Sequence, residues 1–292
     1  MTRPATSPEL RLYAGAALIS LSPVWVELTN VSPTTSAFYR VAFGGVALAL
    51  YLFARRRKVD FARGTWWMLF VAAVFFSLDL WFWHRSIRYI GPGLSTLLAN
   101  FQVFLLMFAG IVLYGQRPHA AQLVAVPLAL GGLGLIIGLD WQALSPDYRL
   151  GVVFGLLTAL AYGSYLLTMR ALRDKSDRRL PVREIAVMSL LSTALLGGSA
   201  FVEGASLAIP TAADAGWLLA YGVLSHGLGM IFITSALPQV TTTQAGIALL
   251  LQPALSFLWD ALFFGRPFTA TQLAGAALAL FAIWLGAGRR TQ

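Results

Sequence analysis

Ten apolar runs follow one another along this chain, and each is long enough to cross a bilayer as a helix, for which about 20 mostly apolar residues are needed. They cover residues 11–30, 34–54, 64–86, 91–114, 119–139, 148–170, 181–203, 213–236, 242–264 and 269–288. The fold class expected is therefore an all-α polytopic membrane protein with ten transmembrane helices. The connections are too short to hold an extramembrane domain. The first run contains Glu27 and has neither a separate basic leader nor a small-residue cleavage site, so a retained helix is expected there rather than a signal peptide.

The charge agrees. Hydrophobic residues make up 58% of the chain and charged ones 11%, whereas a soluble domain carries about a quarter charged residues. A net charge of +9 would suggest a nucleic-acid partner only on a soluble basic face. Here the basic residues lie between apolar runs, so the partners expected are membrane lipids and a small-molecule substrate, and no nucleic acid. With no cysteine, disulfides, thiolate catalysis and Cys-ligated metals are excluded.

Basic residues are retained on the cytoplasmic side of a membrane. On the side shared by both termini lie Arg3, Arg11, Arg55, Arg56, Arg57, Lys58, Arg63, Arg117, Arg170, Arg173, Lys175, Arg178, Arg179, Arg183, Arg289 and Arg290, sixteen in all, against Arg85, Arg88, Arg149 and Arg266 on the other. Both termini are expected to be cytoplasmic, in the inner (plasma) membrane. Arg40 falls inside the second run and counts for neither side.

A shift of 150 residues aligns Trp67 with Trp217, Phe82 with Phe232, Gln102 with Gln252 and Gly115 with Gly265. It also pairs Gln122-Leu123 with Gln272-Leu273 and Leu128-Ala129-Leu130 with Leu278-Ala279-Leu280. Two five-helix repeats follow, 1–143 and 144–292. An odd number of spans per repeat inverts the second copy, an arrangement used by secondary transporters with a substrate site near the midplane.

Phe38-Tyr39-Arg40 in span two, Arg88-Tyr89-Ile90-Gly91-Pro92-Gly93 leading into span four and the turn Gly115-Gln116-Arg117-Pro118 resemble the EamA-type drug/metabolite transporter superfamily along essentially the whole chain. Within it the chain is most similar to the YddG-type exporters of aromatic amino acids. It departs from the pattern where Ser22-Pro23-Val24-Trp25 replaces a Trp-Gly, and where Gln116 and Arg266 replace an acidic residue after the turn glycine. The resemblance implies a ten-helix exporter with a central cavity lined chiefly by spans three, four, eight and nine.

An ionisable side chain near the bilayer centre costs about 2.5–3.5 kcal/mol on insertion scales, so each should face the interior with a partner. Spans three, four, eight and nine contribute Asp79, His84, Asn100, Gln102, His226, Gln244, Gln252 and Asp260. Gln244, Gln252, Ser256 and Asp260 recur at multiples of four and stack on one face, which suits a cavity lining or a polar packing seam. Gln102 and Gln252 are repeat mates that a two-fold axis would bring near each other; their amides suit a zwitterion or an interhelical hydrogen bond equally. Asp79 shares a face with Trp83, and proton coupling through Asp79 or His226 competes with a structural histidine. Glu27 and Arg40 sit at comparable depth and are expected to pair. Of the aromatics within spans, Trp25, Phe75, Phe76, Trp81, Phe82, Trp83, Tyr162, Tyr165 and Trp259, some should line the cavity and stack on a planar substrate. The substrate-binding set expected is thus Gln102, Gln252, Asn100, His226, Trp83, Asp79, Tyr165 and Gln244. Gly151 with Gly155, and Gly134 with Gly138, form small-residue faces for close helix approach, and Pro23, Pro127 and Pro253 mark mid-span bends.

No phosphate-binding Gly-x-x-x-x-Gly-Lys-Ser/Thr loop occurs, the only lysines following Arg57 and Asp174, and no His-Glu-x-x-His or Gly-x-Ser-x-Gly is present. An enzyme is therefore not expected, nor any cofactor or metal. The rivals are a passive channel, a membrane scaffold, and an intramembrane aspartyl protease built on Asp79 and Asp260, which lack the Gly-x-Gly-Asp context of that class.

Overall fold

The computed structural model describes residues 7–56, 59, 61, 63–115, 117, 118, 120–137, 142, 144–173, 182–236, 239, 240 and 242–287, the side chains of 63, 114, 173, 242–247, 249, 286 and 287 excepted. Lys58, Lys175, Gln116 and Gly138, with the side chain of Gln244, lie outside the described set.

Polar caps and glycines set the helix ends. Ser7 accepts from Leu10 N at 3.2 Å and Pro8 opens α1 (Pro8–Ser20); after a break at Leu21 comes α2 (Ser22–Leu28). Ser32 accepts from Thr35 N at 3.1 Å and Pro33 opens α3 (Pro33–Ala54), which suits proline because the first helical N–H has no partner anyway. Then follow α4 (Arg63–Ile90), α5 (Pro92–Ala99), α6 (Gln102–Tyr114), α7 (Ala120–Ile137), α8 (Pro146–Arg173) and α9 (Val182–Glu203). The eighth span is composite: α10 (Ala212–Ala220), a π-helical turn over Tyr221–Leu228, and α11 (Gly229–Ala236). The chain closes with α12 (Thr242–Phe264) and α13 (Ala270–Ala287).

Seven helical stretches are long and apolar enough to cross a membrane, and Leu250–Phe264 and Ala270–Leu285 are shorter apolar stretches; with the broken first span these are the ten expected helices. Phe53, Trp67, Leu113 and Phe201 stand exposed on the outside, an apolar exterior that fits lipid rather than water. Each half closes with a turn glycine after its fourth span: Gly115 and Gly265, repeat mates, have φ +62° and +58°, the left-handed conformation only glycine adopts cheaply.

The packing obeys the inverted repeat. Exchanging the halves sends the α4–α8 contact to α1 against the π turn and α11, α5–α8 to α12–α1, and α4–α9 to α3 against the π turn, while α3–α9, α5–α12 and α7–α13 map onto themselves. The α7–α13 crossing is glycine-mediated, since a Cβ on Gly132 would lie 2.8 Å from the Gly275 carbonyl oxygen. That crossing is two residues before Gly134, the position expected from the sequence. The Gly151/Gly155 face does receive neighbours closely: Cβ atoms there would stand 2.6 Å from Ile90 and 2.7 Å from Leu98.

Three spans are less regular than the apolar runs imply. Pro23 starts α2 instead of bending a continuous helix, and span four is divided at Asn100 and Phe101. Arg85 and Arg88, counted above as connection residues, belong to the last turns of α4. Pro127 and Pro253 do lie inside α7 and α12.

Candidate functional site

Arg40, well inside α3, organises the interior. Two glycines bring its helix against the eighth span: a Cβ on Gly44 would lie 2.8 Å from the Gly222 carbonyl oxygen and 2.4 Å from the His226 ring. This near-contact of α3 with the π turn places the Arg40 guanidinium 5.1 Å from the Tyr221 ring centroid, 5.5 Å from Trp83 and 6.0 Å from Phe76, within cation–π range. Arg40 Nη1 donates to Tyr221 Oη at 3.0 Å. Its Nε is buried and has no hydrogen-bond partner among the described residues.

From Tyr221 a hydrogen bond of 3.2 Å joins its hydroxyl to His84 Nε2, and His84 Nδ1 lies 2.7 Å from the Leu80 carbonyl oxygen. His226 Nε2 lies 2.7 Å from Ser189 Oγ, while its Nδ1 is buried without a partner among the described residues. Phe76 packs 5.7 Å from the His226 ring and 5.0 Å from Tyr165, which stacks on Tyr162 at 5.6 Å. Asp79, 7% exposed, lies within electrostatic reach of Arg40, Tyr162 and Tyr165. Four of the residues singled out in the sequence, Asp79, Trp83, Tyr165 and His226, thus surround one arginine between spans two, three, six and eight.

The remaining ones are placed differently. Asn100 turns its amide back onto the Thr96 carbonyl at 2.8 Å, capping the break in span four. Gln102, the first residue of α6, has a buried Oε1 without a partner among the described residues. Gln252 is half-buried before Pro253, and among the described residues no hydrogen bond joins it to Gln102. On the same helix face, Ser256 donates to the carbonyls of Gln252 (2.9 Å) and Ser20 (3.3 Å), and Asp260 Oδ2 accepts from Gly93 N at 3.0 Å. That half of the polar face is a packing seam against α1 and α5.

Glu27 pairs with Arg266, at 3.4 Å, and not with Arg40. Arg266 also meets Asp260 at 3.1 Å. Depth along the spans matched Glu27 to Arg40, but α2 packs on α12 and α5, which turns Glu27 toward the connection after Gly265. The same geometry separates Asp79 from Asp260, so the two carboxylates share no proton. Arg40 as the centre, Tyr221 and Ser189 were not in the expected set. Arg40 was signalled by lying within the second apolar run and counting for neither side of the membrane, whereas Tyr221 and Ser189 carried no signal. A cleft of about 210 Å³, lined in part by Ile90, Tyr148, Phe257 and Arg266, opens at the end opposite the termini.

An inverted pair of five-helix units with polar and aromatic side chains gathered between the halves defines a membrane transporter built on a repeat. The model of the EamA-like transporter family matches residues 8–138 and again 149–287. The chain belongs to that family, within the drug/metabolite transporter superfamily. It is similar to an uncharacterized protein of Pseudomonas aeruginosa, 33% identical over 278 residues that cover 92% of this chain and 88% of the relative. It is also similar to an uncharacterized transporter of Archaeoglobus fulgidus, 25% identical over 93% of each chain. A protein crystal structure superposes with a TM-score of 0.68 over 97% of this chain and 99% of the other, at 16% identity, a likeness of fold.

Proposed function

We propose that this transporter is a secondary exporter of small metabolites, amino acids with aromatic side chains, working by alternating access between repeats 1–143 and 144–292. It resides in the inner membrane with both termini cytoplasmic, as the sixteen-to-four bias of basic residues supports. The observation that carries the substrate reading is the wall of rings, Phe76, Trp83, Tyr165 and Tyr221, gathered around Arg40 and Asp79. Ring faces reward a planar guest with about 0.5–1.5 kcal/mol beyond the area buried. Gln102, Gln252, Asn100 and His226 then line the remainder of the path. Ionisable groups inside the spans are few, which favours facilitated or weakly proton-coupled flux.

The deciding experiment is flux of radiolabelled phenylalanine into proteoliposomes, with and without an imposed pH gradient. Phenylalanine and tryptophan are expected to move down their own gradients, to compete with each other, and to show trans-stimulation, which a passive channel lacks. If neither moves nor competes, the aromatic reading falls. Accumulation of phenylalanine against its gradient under a pH gradient, lost in Asp79→Asn or His226→Ala with exchange retained, would replace facilitated flux with coupling.

A further inference from the structure

A basic and an acidic side chain, Arg40 and Asp79, stand inside this bundle without pairing with each other. No nitrogen of Arg40 comes within the 4.0 Å of an Asp79 oxygen that an ion pair requires. Among the described residues Arg40 makes one side-chain hydrogen bond, to Tyr221 Oη, although a guanidinium carries five N–H donors. Among the described residues, Asp79 makes no hydrogen bond and no ion pair. Other acidic side chains deep in the bundle behave differently: Glu27 and Asp260 both engage Arg266, and Glu203 engages Arg85, whereas Glu184, whose buried Oε2 has no partner among the described residues, sits in the first turn of α9 at the end of its span. A buried charge left uncompensated costs several kcal/mol, so within a membrane such groups mark the place where a charged ligand completes them.

We propose that Arg40 and Asp79 hold the two ends of a zwitterionic substrate, the guanidinium taking the carboxylate and the Asp79 carboxylate taking the ammonium group. This rests on the transport reading above and deepens it by assigning the head group of the cargo to these two residues. The rings around Arg40 exclude water from the carboxylate. Tyr221 Oη, which accepts from Nη1, fixes the guanidinium and leaves its Nε free to bond the substrate. Phe76, Tyr162 and Tyr165, beside Asp79, form the apolar wall against which the substrate side chain lies. The glutamines at 102 and 252 then contribute neutral hydrogen bonds along the path and do not carry the charged ends.

The test is isothermal titration of the purified protein with three compounds sharing one side chain: phenylalanine, phenylalaninamide, which lacks the carboxylate, and 3-phenylpropanoate, which lacks the ammonium group. Phenylalanine is expected to bind best. R40Q should weaken phenylalanine by at least about tenfold, the loss of a charge-assisted hydrogen bond, and leave phenylalaninamide unchanged. D79N should weaken phenylalanine similarly and leave 3-phenylpropanoate unchanged. The same trio built on leucine separates the two readings: head-group discrimination with leucine but no binding of the phenylalanine series keeps the charged poles and removes the aromatic preference. Phenylalanine binding without head-group discrimination does the reverse. Equal weakening of all three compounds by either variant, equal binding of the three by the unaltered protein, or binding of none overturns the proposal. If R40Q does not fold, R40K, which keeps the charge and loses the fork, should still weaken phenylalanine and spare its amide. A protein that folds only with arginine at 40 assigns the residue to structure and likewise overturns it.

Discussion

Arg85 and Glu203 meet at 2.8 Å, joining the third span to the seventh at the end of the bundle opposite the termini. Glu203 also accepts from Trp81 Nε1 at 2.6 Å, Thr34 Oγ1 at 2.7 Å and Ser199 Oγ at 2.9 Å, so a single carboxylate gathers spans two, three and seven. The pair is partly exposed, with side chains 17% and 29% accessible, and isolated pairs of that kind contribute little; the network is what counts. Glu203→Gln is expected to lower the melting temperature in detergent by roughly 2–4 °C, the shift about 1 kcal/mol produces in a large domain. An unchanged melting curve would remove this node from the account of stability.

The packing of α3 on the π turn makes a sharp prediction. Gly44→Ala places a methyl group 2.4 Å from the His226 ring and 2.8 Å from a backbone oxygen, and such overpacking costs about 1–3 kcal/mol. Gly198→Ala, in α9, meets nothing within 4 Å and is expected to be neutral or stabilising through helix propensity. Melting curves for the two variants should diverge in opposite directions, and equal behaviour would contradict the crossing.

Gln102 gives the sign for the glutamine pair. Among the described residues its Oε1 has no hydrogen-bond partner to lose, so Gln102→Ala should reduce transport while shifting stability by less than the ~0.6 kcal/mol average of an interhelical membrane hydrogen bond. Gln252→Ala should act alike. Normal transport in both single variants ends their role in the substrate path.

Orientation can be read cleanly because the chain has no cysteine of its own. Arg55→Cys, after α3, should react with a membrane-impermeant maleimide only once cells are opened, and Ala208→Cys, between α9 and α10, should react in intact cells. Labelling of position 55 from outside reverses the topology.

Most of the architecture could be inferred from the chain because a bilayer makes apolar length decisive, and because Gly115 and Gly265 occupy one register and share one backbone conformation. The break after Ala99 could not, since Ala99-Asn100-Phe101-Gln102 contains no glycine or proline and the interruption arises from packing. Depth along a span is legible from sequence, but direction around its axis is not. That is why Glu27 and Arg40, matched in depth, turn out to face different neighbours, and why Tyr221 joined Arg40 unannounced while the charge of Arg40 itself could be flagged. Ser256 and Asp260 repeat with Gln252 on one face, yet periodicity alone cannot say whether a neighbouring helix or a cavity lies opposite.

The π turn at 221–228 is looser than an α-helix, closing hydrogen bonds at i→i+5, while the corresponding stretch of α4 winds regularly. Because the 150-residue offset holds on both sides of it, from Trp67/Trp217 to Phe82/Phe232, equal numbers of residues complete unequal numbers of turns in the two copies. A perfectly two-fold chamber would present any guest with two opposed and equivalent berths. One unwound turn on one side lifts that degeneracy, so a guest with unlike head and tail meets a single preferred polarity.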